Sequence, residues 1–187
     1  MGNVYVALIH HPVLNRVGEA VTSSVTSIDL HDIARAGRTY GVEGTFVVHP
    51  SAPQRRFARR VMDHFLSGPG RDFHPTRAEA LRTVEVVADL DGAVEEIEKK
   101  EEIRPILVAT SAREIRKAIG YGTLREQIQA EPAPCLVLFG TSWGITDEAL
   151  SRLDVRLEPV RASVDTGFNH LSVRSAVGIV LDRLLGG

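Results

Sequence analysis

Three short segments of the chain carry side chains that could bind a ligand or handle a proton. They are Asp29–Arg35, Leu138–Ile145 and Asp165–His170. Arginine can grip a phosphate through two hydrogen bonds or polarise a nucleophilic oxygen. Aspartate and histidine can accept or orient protons. Glycine, which occurs twice in the second segment, lets backbone groups approach a ligand closely.

The first segment places Asp32, Arg35 and Arg38 on a predicted helix. Arg35 follows Asp32 by three residues, so the two side chains share a helix face and can pair. Arg35 is therefore a candidate catalytic residue, although the same spacing is typical of a surface salt bridge. An irregular Ser/Thr-rich stretch, residues 12–28, leads into this helix. Connections of that length are uncommon and often functional.

The second segment is an apolar run that ends in a turn containing Gly140 and Gly144. In open α/β sheets, ligands bind beyond the carboxyl ends of the strands, where such a turn would lie. Its backbone N–H and C=O groups could bond an adenine edge or ribose hydroxyls, and Trp143 could pack on a ligand or a partner subunit. The alternatives are an ordinary strand-to-helix turn and a tryptophan that anchors the loop in the core.

The third segment is a polar loop that enters the last predicted helix. Asp165 and His170 are candidates for proton handling, and Gly167 indicates a tight turn. Asn169 or Ser172 could instead simply cap the helix.

A basic stripe is predicted on another helix, where four arginines repeat with i, i+4 spacing. Like charges at that spacing repel, a cost that can be tolerated where an anion binds, although a solvated face is the alternative. The four residues are Arg55, Arg56, Arg59 and Arg60. The sequence lacks a metal-ligand cluster, a phosphate-binding Walker loop and a Cys-x-x-Cys pair.

Composition indicates an ordinary globular protein. The chain has 187 residues, 43% hydrophobic and 25% charged, enough for one domain with a sizeable core. A net charge of -2 excludes a uniformly basic nucleic-acid coat but allows local basic patches. The single cysteine, Cys135, lies in an apolar run, which predicts a buried thiol. With no leader sequence or apolar span in view, we expect a cytoplasmic protein.

Strand-like and helix-like patterns alternate along the chain. Strands are predicted at 4–9, 45–48, 83–88, 105–109, 135–139 and 155–157, and helices at 32–40, 53–66, 91–100, 112–119, 146–150 and 171–185. Such alternation predicts an α/β fold, with a mostly parallel sheet covered by helices on both faces. We expect residues 1–187 to form a single domain.

In this order, the segments resemble the three motifs of the SPOUT class of S-adenosylmethionine (SAM)-dependent RNA methyltransferases. Residues 29–42 are similar to a first motif of the form N-x-G-x-x-x-R followed by Phe-Gly-Val, with Arg35 on the arginine. Asp29 stands where asparagine is usual and His31 where glycine is usual. Residues 138–145 look like the second motif, Phe-Gly-x-(Glu or x)-x-Gly-Leu, without a clear counterpart of its acidic residue. Residues 170–181 resemble the third, Ser-Leu-Asn-Val-Ser-x-Ala, with Ser172 in place of the asparagine.

The resemblance implies a SAM-dependent methyltransferase acting on tRNA or rRNA, at a base or ribose atom. It implies a C-terminal trefoil knot that holds the cofactor, and a homodimer with both subunits near the substrate. Arg35 would activate or orient the acceptor, and Asp165 or His170 would take the proton. The residues expected to bind SAM are Leu138, Phe139, Gly140, Trp143, Gly144, Ile145, Pro159, Val160, Asn169, Leu171, Ser172 and Val173.

Two other classes of function remain open from the sequence. One is a non-catalytic regulator that binds SAM or a nucleotide. The other is an α/β enzyme acting on a small anionic metabolite, with the arginines gripping its carboxylate or phosphate.

Overall fold

The computed structural model describes all 187 residues and is built around one six-stranded parallel sheet. The strands are β1 (Val4–Ile9), β2 (Val13–Leu14), β3 (Ala20–Val21), β4 (Gly44–Val48), β5 (Val84–Val87), β6 (Ile106–Ala109), β7 (Cys135–Gly140) and β8 (Val155–Arg156). The order across the sheet is β5-β4-β1-β7-β6-β8, while β2 and β3 form a separate hairpin. The predicted α/β class is thus confirmed.

Continuous apolar runs explain why β1, β4 and β7 lie at the centre. All six residues of β1 and all five of β4 are buried, as expected for parallel strands covered on both faces. Cys135 begins β7 and is buried, and burial raises the pKa of its thiol to about 12. The predicted buried thiol is confirmed.

Eight helices surround the sheet. They are α1 (Ser27–Thr39), α2 (Ala52–Leu66), α3 (Gly70–Phe73), α4 (Pro75–Leu81), α5 (Leu90–Glu101), α6 (Tyr121–Ala130), α7 (Asp147–Ser151) and α8 (Val173–Leu185). Buried residues of α1, α6 and α8 share one core cluster, whereas α5 and α7 contribute to a second. A third cluster joins α1, α2 and α4 to β4 and β5. None of the helices is long and apolar enough to cross a lipid bilayer.

Local chemistry accounts for the helix ends that position the first motif. α1 begins at Ser27, five residues before the predicted start, because Thr26 caps it by accepting a hydrogen bond from the Asp29 amide. The helix ends before Gly41, whose φ of +72° suits glycine. Asp29 therefore lies in the first turn of α1.

Two predictions of secondary structure were wrong. Residues 112–119 form no helix, because Lys117 adopts a left-handed φ of +61° and Ile119 bridges to Leu157 beside β8. The helix in this region is α6, which follows Gly120. The stretch 12–28 is also less irregular than predicted, since it contains the β2–β3 hairpin and the start of α1.

Candidate functional site

A cleft with a volume of about 920 Å³ lies beyond the carboxyl ends of β1, β6 and β7. The loops that follow these strands supply its walls, together with the segment between β8 and α8 and the first turns of α8. This is the position at which open α/β sheets bind ligands. The volume is that of a site for a whole small molecule.

Most of the residues predicted to bind a cofactor line this cavity. They are Phe139, Gly140, Trp143, Gly144, Val160, Asn169, Leu171, Ser172 and Val173, with His170 beside them. Three do not line it: Leu138 and Ile145 are buried in the core on the opposite face of the sheet, and Pro159 is half-buried outside the cavity. Leu138 lies in β7, where successive side chains point to opposite faces of the sheet, so it points away from the cavity that Phe139 lines.

The turn after β7 is tightly built. A Cβ atom on Gly140 would lie 2.7 Å from the Ile145 nitrogen, so only glycine fits there. Gly144 has φ +96° and Ser142 has φ +54°. The Trp143 amide donates to the Leu14 carbonyl at 3.0 Å, and the Leu14 amide donates to the Gly144 carbonyl at 2.8 Å. These two groups, expected to be open to a ligand, hold the hairpin against the turn instead.

Trp143 stands at the mouth of the cavity rather than in the core. Its side chain is 50% exposed, and its ring meets the edge of His170 at a centroid distance of 5.8 Å. His170 in turn meets Phe168 at 5.2 Å. The interpretation of Trp143 as a core anchor is wrong, and the three rings form a row along the cavity rim.

The predicted catalytic residues are not gathered in one place. His170 lines the cavity, but Asp165 is exposed outside it and accepts a hydrogen bond from the Gly167 amide within its own loop. Arg35 is exposed on α1, also outside the cavity, and has no carboxylate within ion-pair distance. The expected pairing of Arg35 with Asp32 is wrong, because Asp32 faces Arg174. Ser172 does cap α8, by accepting from the Ser175 amide.

Two arginines line the cavity, Arg113 and Arg174, and Arg174 is the one that contacts the first motif. Its Nη1 donates to Oδ1 of Asp29 at 2.7 Å, and its Nε lies 3.5 Å from Oδ2 of Asp32. Asp29 also accepts from the Thr26 hydroxyl at 2.6 Å, and its side chain is only 9% exposed. This ion pair links the first motif to the third.

A buried polar chain supports the cavity wall at Ser23 and Thr141. The Thr141 hydroxyl donates to the Ile9 carbonyl at 3.1 Å, so it accepts from Ser23. Ser23 must then accept from Nδ1 of His10, 2.8 Å away. His10 is fully buried, Nε2 lacks a partner, and burial with the charge of His49 lowers its pKa to about 4. His10 is therefore neutral at physiological pH.

Several residues that line the cavity were not predicted from the sequence to belong to the site. Ser23, Glu158 and Arg174 all line the cavity, and Glu158 has no cationic partner within ion-pair distance. For each of the three, the sequence contains a feature that could have indicated it. Ser23 belongs to the Ser/Thr-rich stretch, Glu158 precedes a predicted binding residue, and Arg174 lies within the third motif.

The basic stripe on α2 divides into two pairs. Arg55 donates a hydrogen bond to the His49 carbonyl at 2.8 Å, and Arg59 donates one to the Val86 carbonyl at 2.8 Å. Both arginines therefore bind the protein's own backbone. Arg56 and Arg60 are exposed and have no carboxylate partner. Only the second pair is available to an anionic ligand.

Comparison with known proteins identifies the family of the chain. A family model described as SAM-dependent RNA methyltransferase matches residues 3–186. An uncharacterized protein of Aquifex aeolicus is 41% identical over 97% of this chain and 88% of its own length. A tRNA (guanine-N(1)-)-methyltransferase of Oleidesulfovibrio alaskensis is 40% identical over 98% of this chain, but the chain spans only 42% of that relative. The unmatched remainder of that relative is long enough for another domain.

Solved structures show the same fold. TrmJ from Z. mobilis ZM4 superposes with a TM-score of 0.60 over 100% of this chain and 69% of its own, at 16% identity. The SpoU methyltransferase AviRb from Streptomyces viridochromogenes gives 0.60 over 98% of this chain and 58% of its own, at 13% identity. With the family model matching nearly its whole length, the chain belongs to the SAM-dependent RNA methyltransferase family.

Proposed function

We propose that the protein transfers a methyl group from SAM to a nucleotide of tRNA, with the 920 Å³ cavity as the cofactor site. Membership of an RNA methyltransferase family carries the reaction class. The Oleidesulfovibrio relative is a tRNA methyltransferase, which favours tRNA over rRNA. Because the chain matches less than half of that relative, the base and atom named there are not assigned to this chain.

The lining chemistry fits SAM. Apolar groups of Val160, Val173 and Tyr121 flank a space for a flat ring, and the unpaired carboxylate of Glu158 can accept hydrogen bonds from ribose hydroxyls. The glycine turn at 140–144 and the segments 159–160 and 169–173 would hold the rest. SAM supplies a methyl group already activated on sulfur, so the protein must align the acceptor and remove a proton.

His170 is our first candidate for the proton acceptor, because it is the predicted catalytic residue that lines the cavity. Asp165 would need its exposed loop to move before it could serve. Arg35 would orient the acceptor from a second copy of the chain, since it is exposed and unpaired outside its own cavity. This assignment requires the homodimer that the SPOUT resemblance implies.

The path of the C-terminal segment favours the trefoil knot of that class. β8 lies at the edge of the sheet next to β6, whereas α8 contacts α1 and the more central β7. Residues 157–172 must therefore return across the carboxyl ends of the strands. We further propose that residues 1–187 form one domain and that the protein works in the cytoplasm, where tRNA and SAM are available.

Calorimetry and a transfer assay test the proposal. The protein should bind SAM or its demethylated product, and should transfer labelled methyl groups to total tRNA from a strain lacking the gene. Absence of binding at millimolar cofactor would reject the cofactor site. Binding without transfer to tRNA or rRNA would favour a non-catalytic regulator, and transfer to rRNA alone would correct the substrate.

Arg35 and the dimer can be tested in the same assay. Arg35→Ala should retain cofactor binding and lose about 2–4 kcal/mol of transition-state stabilisation, the scale of one preorganised electrostatic group. Mixing it with a variant whose own cavity is blocked should restore partial transfer if the arginine acts across the dimer. Light scattering should report a dimer rather than a 20.4 kDa monomer.

A further inference from the structure

A second cleft, of about 520 Å³, lies between the first turns of α1, the end of α2 and α4. The ring of Phe65 is at its centre. The imidazoles of His31 and His64 meet that ring edge-on at centroid distances of 4.7 and 4.8 Å, and the guanidinium of Arg77 lies 5.7 Å from it. An aromatic surface surrounded by flat, nitrogen-bearing groups suits a flat polar ligand.

The cleft also has unused hydrogen-bonding capacity. Nδ1 of His31 is buried and has no partner, and burial together with the charge of Arg77 lowers the pKa of this histidine. Arg77 is half-buried and has no carboxylate within ion-pair distance. Asp32 adds an acceptor at the edge. Because Asp32 also faces Arg174, Arg77 is the unpaired charged group of the cleft, and its guanidinium lies over the Phe65 ring.

The cleft and the cofactor cavity share a wall. Asp29 lines the cavity and Asp32, one helical turn further along α1, lines the cleft. Arg174 contacts both carboxylates, at 2.7 and 3.5 Å. A ligand in the cleft would therefore lie next to the cavity proposed to hold the cofactor.

We propose that this cleft receives one unstacked nucleobase of the RNA substrate. Unpaired RNA bases are recognised by stacking on aromatic or arginine planes and by hydrogen bonds to their edges. Phe65 and Arg77 provide the planes, and Asp32 provides an acceptor for the edge. The inference rests on the proposed function, because it requires RNA as the substrate.

Equilibrium binding of total tRNA, prepared from a strain lacking the gene, tests the assignment. Phe65→Leu keeps apolar volume but removes the aromatic plane, and Arg77→Gln keeps length but removes the charge. Each should weaken tRNA binding by about tenfold, the scale of one stacked base. Calorimetry with SAM should give wild-type affinity for both variants, which establishes that they are folded.

Arg71→Gln is the matched control, because Arg71 is exposed on the neighbouring α3 and does not line the cleft. It should change tRNA binding far less than Arg77→Gln does. Wild-type tRNA affinity in Phe65→Leu would overturn the inference, as would equal losses in Arg71→Gln and Arg77→Gln. Wild-type protein that binds SAM but no RNA would overturn it while leaving the cofactor site intact; failure to bind SAM would count against the proposed function separately.

Discussion

Arg174 is the side chain on which the cavity and the second cleft both depend. Its replacement by alanine would leave the nearly buried Asp29 carboxylate without its cationic partner. Removal of one member of a buried pair is costly, but Arg174 is 35% exposed, so solvent reduces the loss. We expect Arg174→Ala to lower the free energy of unfolding by about 2 kcal/mol in urea titrations.

A double variant separates the charge from the packing. Asp29→Asn combined with Arg174→Ala leaves no unpaired buried charge and should recover part of the lost stability. Arg38→Ala is the control, because Arg38 and Glu79 are both more than half exposed and such pairs contribute little. If the double variant were less stable than Arg174→Ala by the full cost of a second mutation, the two residues would not be coupled.

His10 predicts how stability depends on pH. Its pKa is about 4 in the folded protein and near 6.5 when unfolded, so the unfolded chain binds the extra proton first as pH falls. The stabilisation is complete above pH 6.5 and is lost towards pH 4, by on the order of 3 kcal/mol. Urea midpoints measured across this range should fall for the wild type.

In the variant His10→Asn, the urea midpoint should fall less steeply with decreasing pH, because an amide can replace Nδ1 as the donor to Ser23 without titrating. Some slope should remain, because burial also lowers the pKa of His49. His74→Gln, at an exposed position, should retain the wild-type slope. Equal slopes in wild type and His10→Asn would show that another group controls the acid response.

At the scale of elements, the turn after β7 depends on Gly140. Alanine there would place Cβ 2.7 Å from the Ile145 nitrogen and 2.8 Å from its side chain, so the turn must shift. We expect Gly140→Ala to lose SAM binding in calorimetry and to cost about 1–3 kcal/mol of stability.

Gly122→Ala is the matched substitution, because an added Cβ at this exposed position in α6 meets nothing within 4 Å. It should stabilise the protein by about 0.5–1 kcal/mol and leave SAM affinity unchanged. Wild-type SAM affinity in Gly140→Ala would show that the turn is not part of the cofactor site.

The same elements show what the sequence could predict. β1, β4 and β7 were recognisable because strands buried on both faces read as continuous apolar runs. α6 was missed because Gly120 and Gly122 resemble loop punctuation, although Leu124 and Ile128 have helical spacing. The sequence also allowed the turn after β7 and the loop before α8 to be assigned to the ligand site. The contact of Arg174 with Asp29 could not, because it joins segments 145 residues apart.

At the scale of the whole molecule, a net charge of -2 means that RNA affinity must come from local groups. Arg56 and Arg60 are exposed and unpaired, whereas Arg55 and Arg59 hold backbone carbonyls. Replacing Arg56 and Arg60 with alanine should weaken binding of all RNAs and flatten the salt dependence by about one unit per lost phosphate contact.

Filter binding of total tRNA at several salt concentrations measures this slope. SAM affinity in the same double variant should be unchanged. An unaltered slope would mean that these two arginines form only a solvated face of α2.

The sheet order also determines when the molecule becomes complete during synthesis. β1 is central, and on one side Val4 pairs with Cys135 in β7. The backbone groups along that edge of β1 therefore remain unpaired until β7 has been synthesised. At about 5–20 residues per second, that wait on the ribosome lasts roughly ten seconds or more. α8, whose Val177 and Leu181 close the core over β1, emerges later still. The nascent chain should therefore expose one edge of β1 until β7 has been made, and its ligand site can form only after α8 has been made.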